Sequence, residues 1–186
     1  MIKPIIIIIL ATLTACNTGE KKDSSTTGTA DSTSTSQPGS VKTNTGKIDI
    51  ERFGDLKIGQ DSKEVISIIG QPENKSVPIE WGADGLMHED WTYASKGLIL
   101  NLTSEKNTSD KKTIFSIIAT APCPFKTSAG MGISNTYEEV EKAYNRFIDR
   151  ETTDQNQVTV GSIYGGIIFT FTNEKVSRVF LGAAAE

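Results

Sequence analysis

The chain is poor in the residues that carry most enzyme chemistry. Its 186 residues include one histidine, His88, and two cysteines, Cys16 and Cys123. A metal site built from His88, Asp84 and Asp90 would offer imidazole and carboxylate ligands, but no second histidine or thiolate stands at ligand spacing. No Asp-x-Asp-x-Asp-Gly run supplies a calcium loop. A Ser–His–Asp hydrolase would also have to use His88, and no Gly-x-Ser-x-Gly elbow accompanies it. The glycines of Gly161-Ser162-Ile163-Tyr164-Gly165-Gly166 lead into a strand rather than a helix and lack the Lys-Ser/Thr ending of a phosphate loop, so they predict a turn or bulge. Basic blocks are missing as well. The net charge of −4 gives nucleic-acid binding no electrostatic support. These absences predict a protein that is not an enzyme and holds no cofactor or metal, with His88 in a polar hairpin loop.

Long apolar runs are also lacking. The stretch beginning at Ile5 is only about ten residues, whereas spanning a bilayer core takes roughly 20. One cation, Lys3, precedes it, and Ala11-Thr12-Leu13-Thr14-Ala15 follows, which is the layout of a cleaved secretory signal covering residues 1–15. Leu13-Thr14-Ala15-Cys16 resembles the lipobox of lipoprotein precursors. That resemblance implies a diacylglycerol on Cys16 and usually a further amide-linked chain, enough acyl surface for stable anchoring. Asn17 is not the aspartate that retains some lipoproteins in the inner membrane, so the expected location is the outer membrane of a cell envelope. Glu20-Lys21-Lys22-Asp23 resembles the charged tract that exports some Bacteroidetes lipoproteins to the surface, and equally an ordinary solvated cluster. Removing Lys3 with the signal takes the net charge from −4 to −5. With Cys16 lipidated, Cys123 has no partner within the chain, which excludes a disulfide framework. It lies in the Pro-flanked segment Ala121-Pro122-Cys123-Pro124, where an inert thiol, a reactive thiol and an intermolecular disulfide all remain open.

Residues 16–46 are rich in Ser, Thr, Gly, Lys and Asp, with too little apolar surface to offset the entropy of ordering, so a disordered tether is expected. About thirty such residues reach roughly 30 Å. Within them, Asp31-Ser32-Thr33 resembles an O-glycosylation acceptor of Bacteroidetes, which would make Ser32 the modified residue.

From residue 47 onward the pattern changes and repeats. Ile58-Gly59-Gln60-Asp61-Ser62-Lys63-Glu64-Val65 returns as Ile133-Ser134-Asn135-Thr136-Tyr137-Glu138-Glu139-Val140. Asp61 and Thr136 are each followed three positions later by glutamate, the spacing of a capping box at a helix start. Val65, Ile68 and Ile69 share one side of the first helix, and Val140, Ala143, Tyr144 and Phe147 one side of the second. Gly70 and Pro72 end the first. Leu98, Leu100 and Leu102 alternate as Ile167, Phe169 and Phe171 do, giving half-buried strands. Final strands are expected at 114–119 and 176–181, with a further one at 76–81 before a turn at 82–85. The expected fold is α+β, with two tandem helix-plus-antiparallel-hairpin repeats (47–120 and 121–186) forming an antiparallel sheet with helices on one face.

The capped helix motif, Gly70-Gln71-Pro72 and Trp91-Thr92-Tyr93 together resemble the SmpA/OmlA type of lipoprotein domain, to which the assembly component BamE belongs. Two copies in tandem are similar to the β-lactamase inhibitory protein. Gly59 and Gly70 become Ser134 and Asn145 in the second copy. The resemblance implies a non-catalytic envelope lipoprotein that is held to the membrane by its lipid and binds an envelope protein partner. The alternatives are inhibition of a hydrolase, either a β-lactamase or a protease, and carbohydrate binding. Trp81, Trp91, Tyr93 and Tyr164 are the candidate binding residues, because tryptophan and tyrosine anchor interfaces and stack on sugars. Trp91 and Tyr93 share one strand face and would equally suit a core.

Overall fold

The computed structural model describes residues 52–108 and 110–184. The signal segment, Cys16, Ser32 and the tether lie outside them. Among the described residues no helix is long and apolar enough to cross a membrane.

Two short strands, β1 (Arg52–Phe53) and β2 (Leu56–Lys57), form a hairpin ahead of helix α1 (Ser62–Ile69). Strands β3 (Asn74–Lys75), β4 (Ile79–Glu80), β5 (Met87–Tyr93), β6 (Leu98–Ser104) and β7 (Thr113–Thr120) follow. Helix α2 (Tyr137–Tyr144) leads into β8 (Gln157–Ser162), β9 (Gly165–Thr172) and β10 (Lys175–Gly182). The eight-stranded sheet runs β3-β5-β6-β7-β10-β9-β8, with β4 also paired to β5, and every pairing is antiparallel. The fold is α+β, a mainly antiparallel sheet with two helices. Each helix precedes a three-stranded meander rather than the expected hairpin. The two meanders join through their last strands, β7 and β10, so the sheet is continuous across residue 120.

Local chemistry sets the helix ends. At α2 the Thr136 hydroxyl accepts from the Glu139 N–H at 3.2 Å, and the Glu139 carboxylate accepts from the Thr136 N–H at 2.9 Å, so both halves of the box close. At α1 only half forms. Asp61 accepts from the Lys63 N–H at 2.8 Å, while the neighbouring Ser62 N–H donates to the Lys112 carbonyl at 2.8 Å. Backbone pairing with the start of β7 thus satisfies part of the first turn, and Glu64 does not close a box. Gly70 ends α1 at φ +88°, which favours glycine, and its N–H returns to the Ile66 carbonyl. Ile68 departs from expectation: it sits at the margin of the apolar stripe and is 41% exposed, whereas Val65 and Ile69 are buried.

One face of the sheet holds the core. Trp91, Leu100, Ile117, Leu181, Ile167 and Val160 form one row across six strands, and Tyr93, Leu98, Ala119, Val179, Phe169 and Val158 form the next. All twelve are buried. Each large aliphatic among them contributes roughly 1.5–3 kcal/mol by leaving water. Both helices pack on this face: Tyr144 of α2 lies 5.7 Å from the Phe169 ring, and the Tyr93 hydroxyl donates to the Gly70 carbonyl at the end of α1, 3.2 Å away.

Candidate functional site: the open face of the sheet

With both helices on one side, no layer of the described residues covers the opposite face. Strand alternation places His88, Asp90 and Thr92 there from β5, and Ile99, Asn101 and Thr103 from β6. Ile118, Phe180 and Ile168 continue the Thr92–Ile99 row. A bulge opposite Asn101–Leu102 inserts Phe115 into β7 and turns its ring toward this same side, where it meets Trp81 and His88. At the far margin the chain between α2 and β8 folds against the sheet. The Thr153 hydroxyl accepts from the Thr159 N–H at 3.0 Å, and Thr159 is fully buried.

A network of hydrogen bonds and ring contacts on this face surrounds His88. The residue lies on strand β5, is 3% exposed, and does not sit in the polar loop that the sequence suggested. Its Nε2 is 2.9 Å from the Asp84 carboxylate and its Nδ1 is 2.7 Å from the Asn101 side-chain oxygen. The Asn101 amide donates in turn to Asp90 at 2.7 Å. The Asp84 carboxyl is held below the usual range, first by the Leu86 N–H that donates to it and then by His88. The Trp81 indole stacks on the imidazole, 3.6 Å between centroids and 5° from parallel, and Phe115 meets His88 edge-on at 5.0 Å. The turn from Trp81 to Leu86 is thereby fastened to the sheet, with Trp81 standing at the rim 37% exposed. Neither ring nitrogen meets a hydroxyl or thiol, and among the described residues no three metal-ligating side chains cluster.

Beyond Trp81 the row Ile99, Ile118, Phe180 and Ile168 is apolar. Ile79, opposite His88, is 63% exposed, and Ile99 is 37% exposed. A groove of about 510 Å³ runs from Trp81 and Phe115 to Phe180, Arg178 and Gln157. Arg178 sits over the Phe180 ring at 5.5 Å.

The other aromatic candidates divide. Trp91 and Tyr93 face the core, are 3% and 1% exposed, and cannot touch a partner. The Trp91 indole N–H donates to buried Glu89 at 2.9 Å, and the Lys75 ammonium lies 4.0 Å from the Trp91 ring centroid. Glu89 also pairs with Lys112. Burial pushes the Tyr93 phenol up to about 12. Tyr164 occupies the β8–β9 turn and is 71% exposed. Cys123 is buried, and burial raises its thiol, which disfavours the reactive thiolate. Sequence reasoning missed Asn101, Phe115, Ile118, Arg178 and Phe180. The alternating apolar residues of β7 and β10 were the available signal, since both parities are hydrophobic.

Comparison with protein-family models, with curated proteins and with solved structures finds no match for the chain.

Proposed function

We propose that the protein is a non-catalytic lipoprotein of the cell envelope, anchored through Cys16, whose open sheet face binds another envelope protein. In this reading the α+β module is a tandem pair of units similar to the SmpA/OmlA and β-lactamase-inhibitory-protein architecture. The two helix-then-meander halves, joined through β7 and β10, support it. The observation that carries the binding role is the open face itself. Three large apolar side chains on it, Ile79, Trp81 and Ile99, are exposed together. Exposed apolar residues gathered on one face mark interaction sites more often than scattered ones do. The His88 stack also holds Trp81 in place before a partner arrives, which reduces the entropy lost on binding.

Affinity purification from crosslinked membranes tests the proposal. The wild-type chain is expected to recover one defined envelope protein. Ile118→Glu, on the open face, should lose it, and Lys63→Glu on the exposed side of α1 should keep it. Equal recovery by both variants would remove the open face from the account. Radiolabelled palmitate should enter the wild-type chain and not Cys16→Ala.

A further inference from the structure

Resting on the open-face reading above, we infer that the partner enters the groove with an acidic side chain flanked by apolar ones, and that Arg178 receives the carboxylate. The charges on this face are unequal in availability. Its carboxylates are already engaged: Asp90 accepts from the Asn101 amide at 2.7 Å, and Asp84 is 2.9 Å from the His88 ring. Arg178 is not. Among the described residues its side chain makes no ion pair and no hydrogen bond, and it lies over the Phe180 ring. In its cross-strand row it is flanked by Thr120 and Thr170, and Gln157 lies beyond Thr170, so no neighbour in the row carries charge.

Covering this groove takes the guanidinium out of water. A wholly apolar occupant would leave a desolvated cation without a partner, which is among the costlier events in association. A carboxylate at the guanidinium turns that cost into a forked, charge-assisted pair. Apart from Ser116 and Gln157 the remaining walls are apolar, Trp81, Phe115, Ile168 and Phe180 among them, and call for apolar side chains on either side of the acid. A single cation is too few for an anionic membrane, where several basic residues normally act together.

Selection of a displayed random nine-residue peptide library on the full chain tests this. Recovered peptides should be enriched in Asp or Glu next to Leu, Ile, Phe or Trp, and should shift the NMR signals of Ile118 and Phe180. Their affinity should fall about tenfold or more in Arg178→Gln, and also as salt rises. Arg178→Glu should instead select peptides with Lys or Arg at the central position, a reversal that loss of folding does not produce. Peptides that shift Ile118 and Phe180 but show no acidic enrichment would overturn the inference and leave the open-face reading standing. So would peptides that bind Arg178→Gln undiminished. A library yielding no peptide that shifts the open face would count against both, and Arg178-dependent binding to phosphatidylglycerol vesicles instead of peptides would replace the protein partner with a lipid one.

Discussion

Removing the His88 imidazole is the sharpest perturbation of the open face, because one ring joins three elements. In His88→Ala the Asn101 side-chain oxygen loses a bond of 2.7 Å in a buried site, and an unsatisfied buried acceptor costs roughly 1–3 kcal/mol. The ring contacts with Trp81 at 3.6 Å and Phe115 at 5.0 Å disappear as well. Each such contact is worth about 0.5–1.5 kcal/mol. The Asp84 end adds little, since water can replace the ring there. The expected loss is about 2–6 kcal/mol, before any penalty for the cavity. Urea denaturation measures it, and acrylamide quenching reports the consequence. Of the two tryptophans, Trp91 stays buried, so increased quenching arises from a Trp81 that has left its stack. A loss below about 0.5 kcal/mol with unchanged quenching would refute the claim that this network fixes the turn.

Other outcomes follow from the same geometry. Gly97 sits at φ +62°, and a Cβ there would come within 2.3 Å of the Thr120 carbonyl, so Gly97→Ala should cost about 2 kcal/mol or more in thermal or urea unfolding. Glu139→Ala should destabilise by about 0.5–1 kcal/mol while Glu64→Ala stays near zero, because only α2 closes its box. Glu73, Asp84, Glu139 and Asp149 are all held below their ordinary values by hydrogen bonds. Their folded-state values lie below the unfolded ones, so their contribution is present above the unfolded carboxylate range and is lost as pH falls through the folded values. The unfolding midpoint should therefore be steady from neutral to mildly acidic pH and drop below about pH 4. Tyr93 works in the opposite direction. Its phenol is raised to about 12, so its share is complete below its ordinary value of 10.0 and is lost as pH climbs toward 12. Tyr93→Phe should remove that alkaline loss.

Much of the core was legible in the sequence because its signals are local. Asp61 and Thr136 mark helix starts within a few residues of the bonds they make, and the period-two runs at Leu98 and Ile167 need only their own strands. Strand Gln157–Ser162 escaped notice because Val158 and Val160 are its only apolar residues and the following glycines draw attention to the turn. The site was far less legible. His88 depends on Asn101, thirteen residues away on the neighbouring strand, and Phe115 reaches it only because a bulge re-aims the ring. Trp91 and Tyr93 show the limit most plainly: their alternation announced a buried face without saying which side of the sheet the helices would cover, and the rings turned out to be core.

The central claim, that the uncovered sheet face is the binding surface, is tested most directly by a photo-crosslinking amino acid placed singly at Ile99 and at Lys63 in the living cell. Both sites are exposed, and they lie on opposite sides of the molecule. The account predicts a discrete adduct with one envelope protein from Ile99 and none from Lys63. An adduct from Lys63 alone would contradict it.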